Sequence, residues 1–163
     1  MTKIGLLSDT HSYWDEKFAH YFADCDEIWH AGDIGSEEVI QKLQDLKKNV
    51  RAVHGNIDGS AIRLQCPPIL RFMVEDMKVW LTHIGGYPGK YEYPICYELI
   101  QNPPDLFVCG HSHILKIIYD KKLQMLCLNP GAAGKYGFHT VRTLLRFVID
   151  GKSISNMEII ELA

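Results

Sequence analysis

Seven side chains able to bind metal ions follow closely after short apolar stretches of the sequence. They are Asp9, His11, Asp33, Asn56, His83, His111 and His113. The apolar stretches, such as Ile4–Leu7 before Asp9 and Leu106–Cys109 before His111, have the length of buried strands. In open α/β sheets, binding sites form beyond the carboxyl ends of the strands. We therefore expect the seven side chains to meet in one pocket.

Two pairs within this set have a spacing that adds to the argument. Asp9 with His11, and His111 with His113, are two positions apart, and in an extended backbone such residues point to the same side. Taken alone, each residue has an ordinary interpretation, such as a turn for Asn56. Two Asp, one Asn and four His at successive strand ends together favour a metal site over a set of unrelated turns.

The elements that must position these residues alternate between strand and helix in the first part of the chain. The patterns predict strands and helices in turn over Ile4–Leu7, Glu16–Ala23, Glu27–His30, Glu37–Leu46 and Val50–Val53. Ser36 is the expected N-cap of the second helix. Because alternating strands and helices produce parallel strands, the carboxyl ends of these strands should lie at one edge.

The remainder of the chain is richer in strands. We predict a hairpin, a helix and five further strands, in chain order, over Ile69–Val74, Lys78–Leu81, Tyr93–Ile100, Leu106–Cys109, Leu115–Tyr119, Met125–Leu128, Val141–Ile149 and Ser153–Ile160. Asp150-Gly151 indicates a tight turn between the last two strands. The expected fold class is α/β, a sandwich of two mixed β-sheets flanked by helices, in a single domain of residues 1–163.

Composition and charge argue against several other classes of protein. Hydrophobic residues make up 47% of the chain and charged residues 23%, which is an ordinary globular balance. The net charge of −3 provides no basic field for nucleic acid, and no apolar run reaches the roughly 18 residues of a membrane span. Five cysteines without a CxxC pair are typical of reduced thiols. We therefore expect a cytoplasmic protein without a signal peptide.

Five short motifs, taken together, resemble the signature of the calcineurin-like metallophosphoesterases. In the order of that family, they are Asp9-Thr10-His11, Gly32-Asp33, Gly55-Asn56, Thr82-His83 and Gly110-His111-Ser112-His113. The later Asn129-Pro130-Gly131 is similar to the small bacterial and archaeal phosphodiesterase branch. The resemblance covers nearly the whole chain, and it implies the metallo-dependent phosphatase fold, a four-layer αββα sandwich.

The resemblance also implies a role for each metal-binding residue. By position in the motifs, a first metal would be bound by Asp9, His11 and His113, a second by Asn56, His83 and His111, and both by the bridging Asp33. The catalytic residues would be Asp33, Asn56 and His83. Imidazole and carboxylate ligands suit two divalent transition-metal ions, with manganese expected in the assay and iron, zinc, cobalt or nickel as alternatives. Magnesium is disfavoured because it prefers oxygen ligands.

The activity that the resemblance implies is hydrolysis of a phosphodiester bond. A hydroxide bridging the two metals would attack the phosphorus, while the metals and the Asn56 amide would stabilise the added charge. Two divalent ions bring four positive charges, and Asp9, Asp33 and the hydroxide remove three. The single charge that is left matches a diester monoanion. A phosphomonoesterase at the same site is the alternative, because a monoester dianion would still bind.

One position departs from the family pattern. Many members carry a His directly after the Asn, where it assists protonation of the leaving group, but this chain has Ile57. We therefore expect a preference for substrates with good leaving groups. The same branch includes a trafficking subunit that has lost metal-binding residues and acts as a scaffold, so a non-catalytic module is a second alternative. Here every ligand position is filled, which favours an enzyme.

The expected partners are few. A small phosphodiester is the expected substrate, and nucleic acid is not favoured by the charge. No membrane association is expected. A homodimer or homotetramer is expected, because proteins of the similar family often form such assemblies.

Four other polar residues near the motifs each have two interpretations. His30 could support the site or simply pack at a strand end, and Asp58 could orient a ligand or form a turn. His54 and His139 could face the substrate, although ordinary packing is the simpler interpretation of both. The sequence alone leaves these choices open.

Overall fold

Twelve strands and four helices make up the computed structural model, which describes all residues from Met1 to Ala163. The strands are β1 (Thr2–Leu7), β2 (Glu27–His30), β3 (Asn49–Ala52), β4 (Ile69–Val74), β5 (Met77–Thr82), β6 (Gly86–Tyr87), β7 (Lys90–Tyr91), β8 (Leu106–Val108), β9 (Lys116–Asp120), β10 (Met125–Asn129), β11 (Arg142–Asp150) and β12 (Ser153–Leu162). The helices are α1 (Glu16–Phe22), α2 (Glu37–Asp45), α3 (Ser60–Gln65) and α4 (Ile95–Gln101).

Ten of the strands form two five-stranded sheets. The first sheet has the order β12-β11-β1-β2-β3 and the second has the order β4-β5-β8-β10-β9, while β6 and β7 form a small separate hairpin. Strands β1, β2 and β3 are parallel, and so are β5, β8 and β10. The other four strands, β4, β9, β11 and β12, lie outside these parallel strands and pair with their neighbours in antiparallel fashion. The prediction of two mixed sheets is therefore confirmed.

Three apolar clusters show how the sheets and helices are layered. On β2, Trp29 points into the core between the two sheets, whereas its neighbour Ile28 packs under the helices that carry Phe18 and Val39. This alternation follows from the period of two along a strand. The far face of the second sheet is covered by α4 through Leu99. The resulting order of helices, sheet, sheet and helix is the expected αββα sandwich.

Most element boundaries agree with the sequence prediction to within two residues, and the differences have local causes. Helix α4 begins at Ile95 instead of Tyr93, because a residue that precedes a proline is disfavoured in the helical conformation. Helix α3 was not predicted, since its single buried residue, Ile62, leaves no apolar period to detect. Ser36 does stand at the N-cap of α2, but its hydroxyl makes no capping hydrogen bond.

The loops that follow the parallel strands meet at one edge of the sandwich. The Asp9 amide donates to the Gly32 carbonyl at 2.9 Å, which joins the loops after β1 and β2. The Gly110 amide donates to the backbone carbonyl of His83 at 2.9 Å, which joins the loops after β5 and β8. The Ala133 amide donates to the Ser8 carbonyl at 2.9 Å and so links the two sheets. This edge therefore collects residues from both sheets.

No helix in the structure has both the length and the apolar character needed to cross a membrane.

Candidate metal centre

The sequence-predicted ligands gather into two adjacent clusters at this edge. One cluster contains Asp9, His11 and His113, and the other contains Asp33, His83 and His111, with the ligand atoms of each cluster within 4.8 Å of one another. Asn56 joins the second cluster, because its Oδ1 lies 3.0 Å from Nδ1 of His111. All seven side chains named from the sequence are thus brought into one pocket.

Asp33 lies between the two clusters. Its Oδ2 is 3.1 Å from Nε2 of His83 in the second cluster and 3.5 Å from Nε2 of His11 in the first. Within the first cluster, Oδ1 of Asp9 is 3.3 Å from Nε2 of His113. One carboxylate therefore reaches ligand atoms of both groups, which is the arrangement that two neighbouring cations need in order to share a ligand.

The backbone at these positions differs from the prediction. Five residues of the set have left-handed backbone angles, with φ between 45° and 72°, and they are Asp9, His11, Asp33, His111 and His113. The expectation that the two-residue spacing acts through extended backbone is therefore wrong. Asp9 and His11 enter the same cluster, whereas His111 and His113 enter different ones.

Left-handed backbone is costly for residues other than glycine, at roughly 1 kcal/mol or more each. Such residues persist where the surrounding structure imposes the conformation, and they concentrate at functional sites. Asp58 supplies part of this constraint. Its buried carboxylate accepts hydrogen bonds from the amides of Ile34 and Gly35 after β2 and from Gly55 after β3. Of the two interpretations of Asp58, cross-linking of these loops is the one that the contacts support.

Gly55 is required by the close approach of these loops. A Cβ atom at this position would collide with Oδ1 and the backbone amide of Asp33. The amide of Ile57 donates to the same Asp33 Oδ1 at 3.1 Å, leaving Oδ2 directed at the two clusters. The turn at Gly55-Asn56 thus orients the shared carboxylate as well as placing Asn56.

Asn129 supports the loop that carries His111 and His113. Its Nδ2 donates to the carbonyl of Gly110 at 3.0 Å and to Oγ of Ser112 at 3.1 Å. The contact explains why a buried Asn at the end of β10 accompanies the histidine motif. Its function is to hold the loop conformation, because it does not itself reach either cluster through these bonds.

His30 lies fully buried behind the first cluster. Its Nε2 is 3.0 Å from Oγ1 of Thr10, and its Nδ1 accepts the amide of Gly32 at 3.1 Å. Burial lowers the pKa of His30 to about 4, so the ring is neutral near neutral pH. His30 therefore packs at a strand end and also supports the two loops that carry Asp9 and Asp33.

Several ligand atoms lack any hydrogen-bond partner although they are buried. These atoms are Oδ1 of Asp9, Nε2 of His11 and Nε2 of His83. Buried polar atoms are normally paired, so an unpaired group of this kind needs a further ligand to offset its desolvation. Nitrogen and oxygen donors converging without thiolates are the set that divalent transition metals bind. The residues present therefore fit a pair of such ions.

Carboxylates and imidazoles attract one another within the two clusters. Burial disfavours ionisation of Asp33, but the neighbouring His83 ring, with Nε2 3.1 Å from Oδ2, outweighs burial and holds the pKa of Asp33 below its ordinary value. Burial likewise opposes ionisation of Asp9, yet His11 and His113 lower its pKa. Burial also disfavours protonation of His83, but Asp33 and Asp9 overcome it and raise the pKa of that ring. The pocket thus stabilises carboxylates facing positive charge.

His139 contacts the first cluster from behind. Its Nε2 is 2.7 Å from the carbonyl of Gly134, which can only accept, so Nε2 carries the hydrogen and Nδ1 is an acceptor. This Nδ1 lies 3.3 Å from Nδ1 of His113, which must therefore donate. Nε2 of His113 is then left with a lone pair facing Asp9. The contact fixes the tautomer that a metal ligand requires.

The loop around His139 also brings an aromatic ring to the site. Tyr136 lies over His11 with 4.9 Å between the ring centroids. Gly137 has φ of +130°, and a Cβ there would collide with the ring of His113. Sequence reasoning missed Tyr136, because an isolated aromatic residue in a glycine-containing loop has no period and no motif to mark it.

Two further histidines have simpler surroundings. Nδ1 of His54 lies 2.8 Å from the carbonyl of Cys66, and the ring borders a recess beside the second cluster. His20 is on the exposed side of α1. None of the five cysteines is disulfide-bonded, and none belongs to either cluster.

Comparison with known proteins agrees with this geometry. The family model described as the calcineurin-like phosphoesterase superfamily domain matches residues 2–152. A probable metallophosphoesterase of Methanothermobacter thermautotrophicus is 31% identical over 136 residues, which cover 79% of this chain and 76% of the relative. A phosphodiesterase of Methanocaldococcus jannaschii is 28% identical over 149 residues, covering 82% of this chain and 86% of the relative.

Solved structures share the fold along the whole chain. An archaeal phosphodiesterase superposes with a TM-score of 0.77 at 23% identity, covering 98% of this chain and 99% of the other. Wild-type Vps29 of Entamoeba histolytica superposes with a TM-score of 0.74 at 16% identity, covering 98% of each chain. At these identities, the likeness concerns the fold alone. From the family match over residues 2–152, the chain belongs to the calcineurin-like phosphoesterase superfamily.

Proposed function

We propose that this protein is a phosphodiesterase that works with two divalent metal ions. The observation that carries the proposal is the pair of ligand clusters joined by Asp33, with buried ligand atoms of Asp9, His11 and His83 left without partners. Buried polar atoms are normally paired, so three unpaired ligand atoms in one pocket indicate a bound ligand. A pair of cations sharing Asp33 would satisfy all of them.

The similar proteins support the choice of reaction. The Methanocaldococcus jannaschii relative and the archaeal structure are both described as phosphodiesterases. One Vps29 structure was obtained as a complex with Zn²⁺, so zinc belongs beside manganese among the metals to test. These descriptions concern those proteins. They support the proposal for this chain only because it shares their fold and family and has all the expected ligand positions filled.

Each residue of the centre has a proposed task. The first ion would be held by Asp9, His11 and His113, the second by Asn56, His83 and His111, and both by Asp33. Two ions in this position would lower the pKa of a shared water molecule and supply the nucleophile near neutral pH. Asp33, Asn56 and His83 are the residues that would act closest to the reacting phosphate.

The contacts of these three residues indicate how they act. His83 donates from Nδ1 to the carbonyl of Ala31 at 2.7 Å, so the neutral ring would offer Nε2, which lies 3.1 Å from Asp33, as the ligand atom for a metal ion. Asn56 presents Oδ1 to the second cluster, which leaves its Nδ2 able to donate to a phosphoryl oxygen. Fixed donors of this kind stabilise charge without reorganising during the reaction.

Ile57 restricts the leaving groups that the site can expel. The side chain is half exposed and lines a recess with His11 and Tyr136, and it offers no proton. A leaving group therefore has to depart without help from this position. We propose that activated or modestly stable diesters are the substrates.

A diester is favoured over a monoester by charge. Two divalent ions together with Asp9, Asp33 and a nucleophilic hydroxide equivalent leave a single positive charge, which matches a monoanion. We further propose that the chain acts as one domain in the cytoplasm on small substrates, which fits its five free cysteines and net charge of −3. Assembly into dimers or tetramers is part of the same proposal.

The proposal is tested with the purified, metal-loaded protein. Rates of hydrolysis of bis(p-nitrophenyl) phosphate and p-nitrophenyl phosphate are compared with Mn²⁺, Zn²⁺ and Mg²⁺, alongside Asp33→Ala as the inactive control. We expect the diester to be cleaved faster, with manganese the most effective ion. Faster cleavage of the monoester would replace the proposal with a phosphomonoesterase. Hydrolysis of neither compound by protein with two bound metals would favour a non-catalytic module.

A further inference from the structure

A recess of about 250 Å³ opens directly beside the second cluster. Asn56 and His83 of the second cluster line this recess together with Arg63 and His54. Apolar side chains complete the recess, among them Ile84, which is exposed. A molecule held at the second cluster would therefore extend one of its arms towards Arg63.

The guanidinium of Arg63 is held in a fixed position by the loop that carries Asn56. Its Nε donates to the carbonyl of Asp58 at 2.6 Å, and one of its terminal nitrogens lies 3.4 Å from the carbonyl of Gly55. The planar fork is thereby oriented before any ligand arrives. An arginine that is already ordered loses less conformational entropy when it binds an anion.

His54 contributes to this orientation and does not compete for the anion. Its Nδ1 must carry the hydrogen, because it lies 2.8 Å from the carbonyl of Cys66, which can only accept. Nε2 is then an acceptor, and a terminal nitrogen of Arg63 donates to it at 3.3 Å. The His54 ring thus acts as a neutral support behind the charge.

Arg63 differs from every other arginine of the chain in its charge environment. The other four, which are Arg51, Arg71, Arg142 and Arg146, each form an ion pair with a carboxylate. Arg63 has no carboxylate within ion-pair distance, and the nearby Asp58 carboxylate is occupied by three backbone amides. In a chain of net charge −3, this is a positive charge without a protein counter-ion beside the candidate metal centre.

We propose that Arg63, supported by His54, forms a subsite for a second phosphate group on the substrate. The proposal rests on the proposed phosphodiesterase function and names its substrate class, namely small phosphodiesters that carry a further phosphate on one arm. Arg63 contacts the main chain of Asn56 and not its amide group, so it lies outside the reacting centre. The N–H groups of the guanidinium that are not used by the protein can donate to phosphate oxygens, and the apolar side chains of the recess accommodate the sugar or carbon skeleton between the two phosphates.

A matched pair of substrates tests the subsite. Thymidine 5′-(4-nitrophenyl phosphate) and its 3′-phosphorylated form share the same reacting ester and differ only in the additional phosphate. In the wild-type protein, we expect the KM to be about tenfold lower for the phosphorylated form, with similar kcat, on the scale of one charge-assisted contact. Arg63→Gln should abolish this preference, so that the ratio of the two KM values approaches one.

Two further variants make the result specific. Arg63→Lys keeps the charge without the fork and should retain part of the preference, which also separates the subsite from any folding defect. Arg71→Gln is the matched control, because Arg71 lies in a different recess, on the outer face of the second sheet. The preference should be unchanged in this control.

A binding measurement separates the two proposals from each other. Calorimetric titration of the metal-loaded protein with thymidine 3′,5′-bisphosphate and thymidine 5′-phosphate should show tighter binding of the bisphosphate, lost in Arg63→Gln. If no diester is cleaved but this binding difference is found, the phosphodiesterase proposal fails and the subsite stands. If diesters are cleaved but neither KM nor binding distinguishes the compounds, the subsite is wrong. An equal loss on both compounds in Arg63→Gln would make Arg63 a support of the Asn56 loop and would also overturn the subsite.

Discussion

The two ligand clusters differ in how far they are enclosed. In the first, Asp9 is fully buried, and the side chains of His11 and His113 are only 11% and 15% exposed. In the second, Asp33 and His83 are buried, but His111 and Asn56 lie on the exposed side. The first cluster is covered by the loop of Tyr136 and His139, whereas the second opens to the recess of Arg63.

The first cluster also has the better hydrogen-bonded ligands. His113 is braced by His139, which is itself anchored to a backbone carbonyl. His111 contacts Asn56, which is itself a ligand candidate. Hydrogen bonds to the side chains that bind a metal ion raise the affinity for that ion, so the enclosed first cluster should bind its ion more tightly. The open second cluster should exchange its ion more readily and contact the substrate.

Substitution of Asp33, which both clusters share, should have the largest effect on hydrolysis and on metal content. We expect Asp33→Asn to lower hydrolysis of bis(p-nitrophenyl) phosphate by more than about a hundredfold, because loss of one ligand charge weakens both ions. Metal content, measured by mass spectrometry after dialysis, should fall from two ions per chain towards zero. Asp45→Asn, at an exposed position at the end of α2, is the matched control and should retain both ions. Full retention of two ions by Asp33→Asn would contradict a shared ligand.

The order of metal loss tests the difference between the clusters directly. As the concentration of a chelator is increased, the wild-type protein should pass through a state with one bound ion, because the affinities of the two clusters for their ions differ by about tenfold or more. His111→Ala should bind one ion with the higher affinity, while His11→Ala should retain at most the weaker one. Calorimetric titration with Mn²⁺ provides the measurement. Simultaneous loss of both ions, or prior loss from the enclosed cluster, would show that burial does not set the order.

His139 sharpens the comparison by changing only the support of the first cluster. We expect His139→Ala to weaken the tighter ion by about tenfold to a hundredfold, because His113 loses the acceptor that fixes its tautomer. His139→Asn should recover part of the affinity, since its amide oxygen can accept the same hydrogen bond. The absorption spectrum of bound Co²⁺ should shift in the alanine variant. Equal effects of both substitutions would indicate packing alone.

The smallest expected effect concerns pH and the metal-free protein. The pKa of His30 is about 4 in the fold and near 6.5 in the unfolded chain, so the unfolded chain binds more protons below pH 6.5. The contribution of His30 to stability is therefore complete above that pH and decreases as pH falls towards 4. We expect a loss of about 1 kcal/mol between pH 7.5 and 5.5 from this group. Urea unfolding at both pH values should show a smaller difference in His30→Asn, and an identical difference would remove His30 as the cause.

Much of the fold could be predicted because its strands are short apolar runs bounded by polar residues. The parallel strands, the hairpin of β4 and β5 and the turn at Gly151 all follow from local pattern. Helix α3 and the hairpin of β6 and β7 could not be predicted, since they bury too little for a period to appear. Their positions depend on contacts with distant parts of the chain.

The sequence by itself determined which side chains form the candidate site, because their types and their places after strands are local properties of the chain. Only the tertiary structure decided how they are grouped. His111 and His113, only two positions apart, lie in different clusters, and hydrogen bonds from the distant Asn129 hold the loop that carries them. The structure alone also placed His139 behind His113, although the two residues lie 26 positions apart in the sequence. Local pattern carries no information about such long-range contacts, which form only when the two sheets pack together.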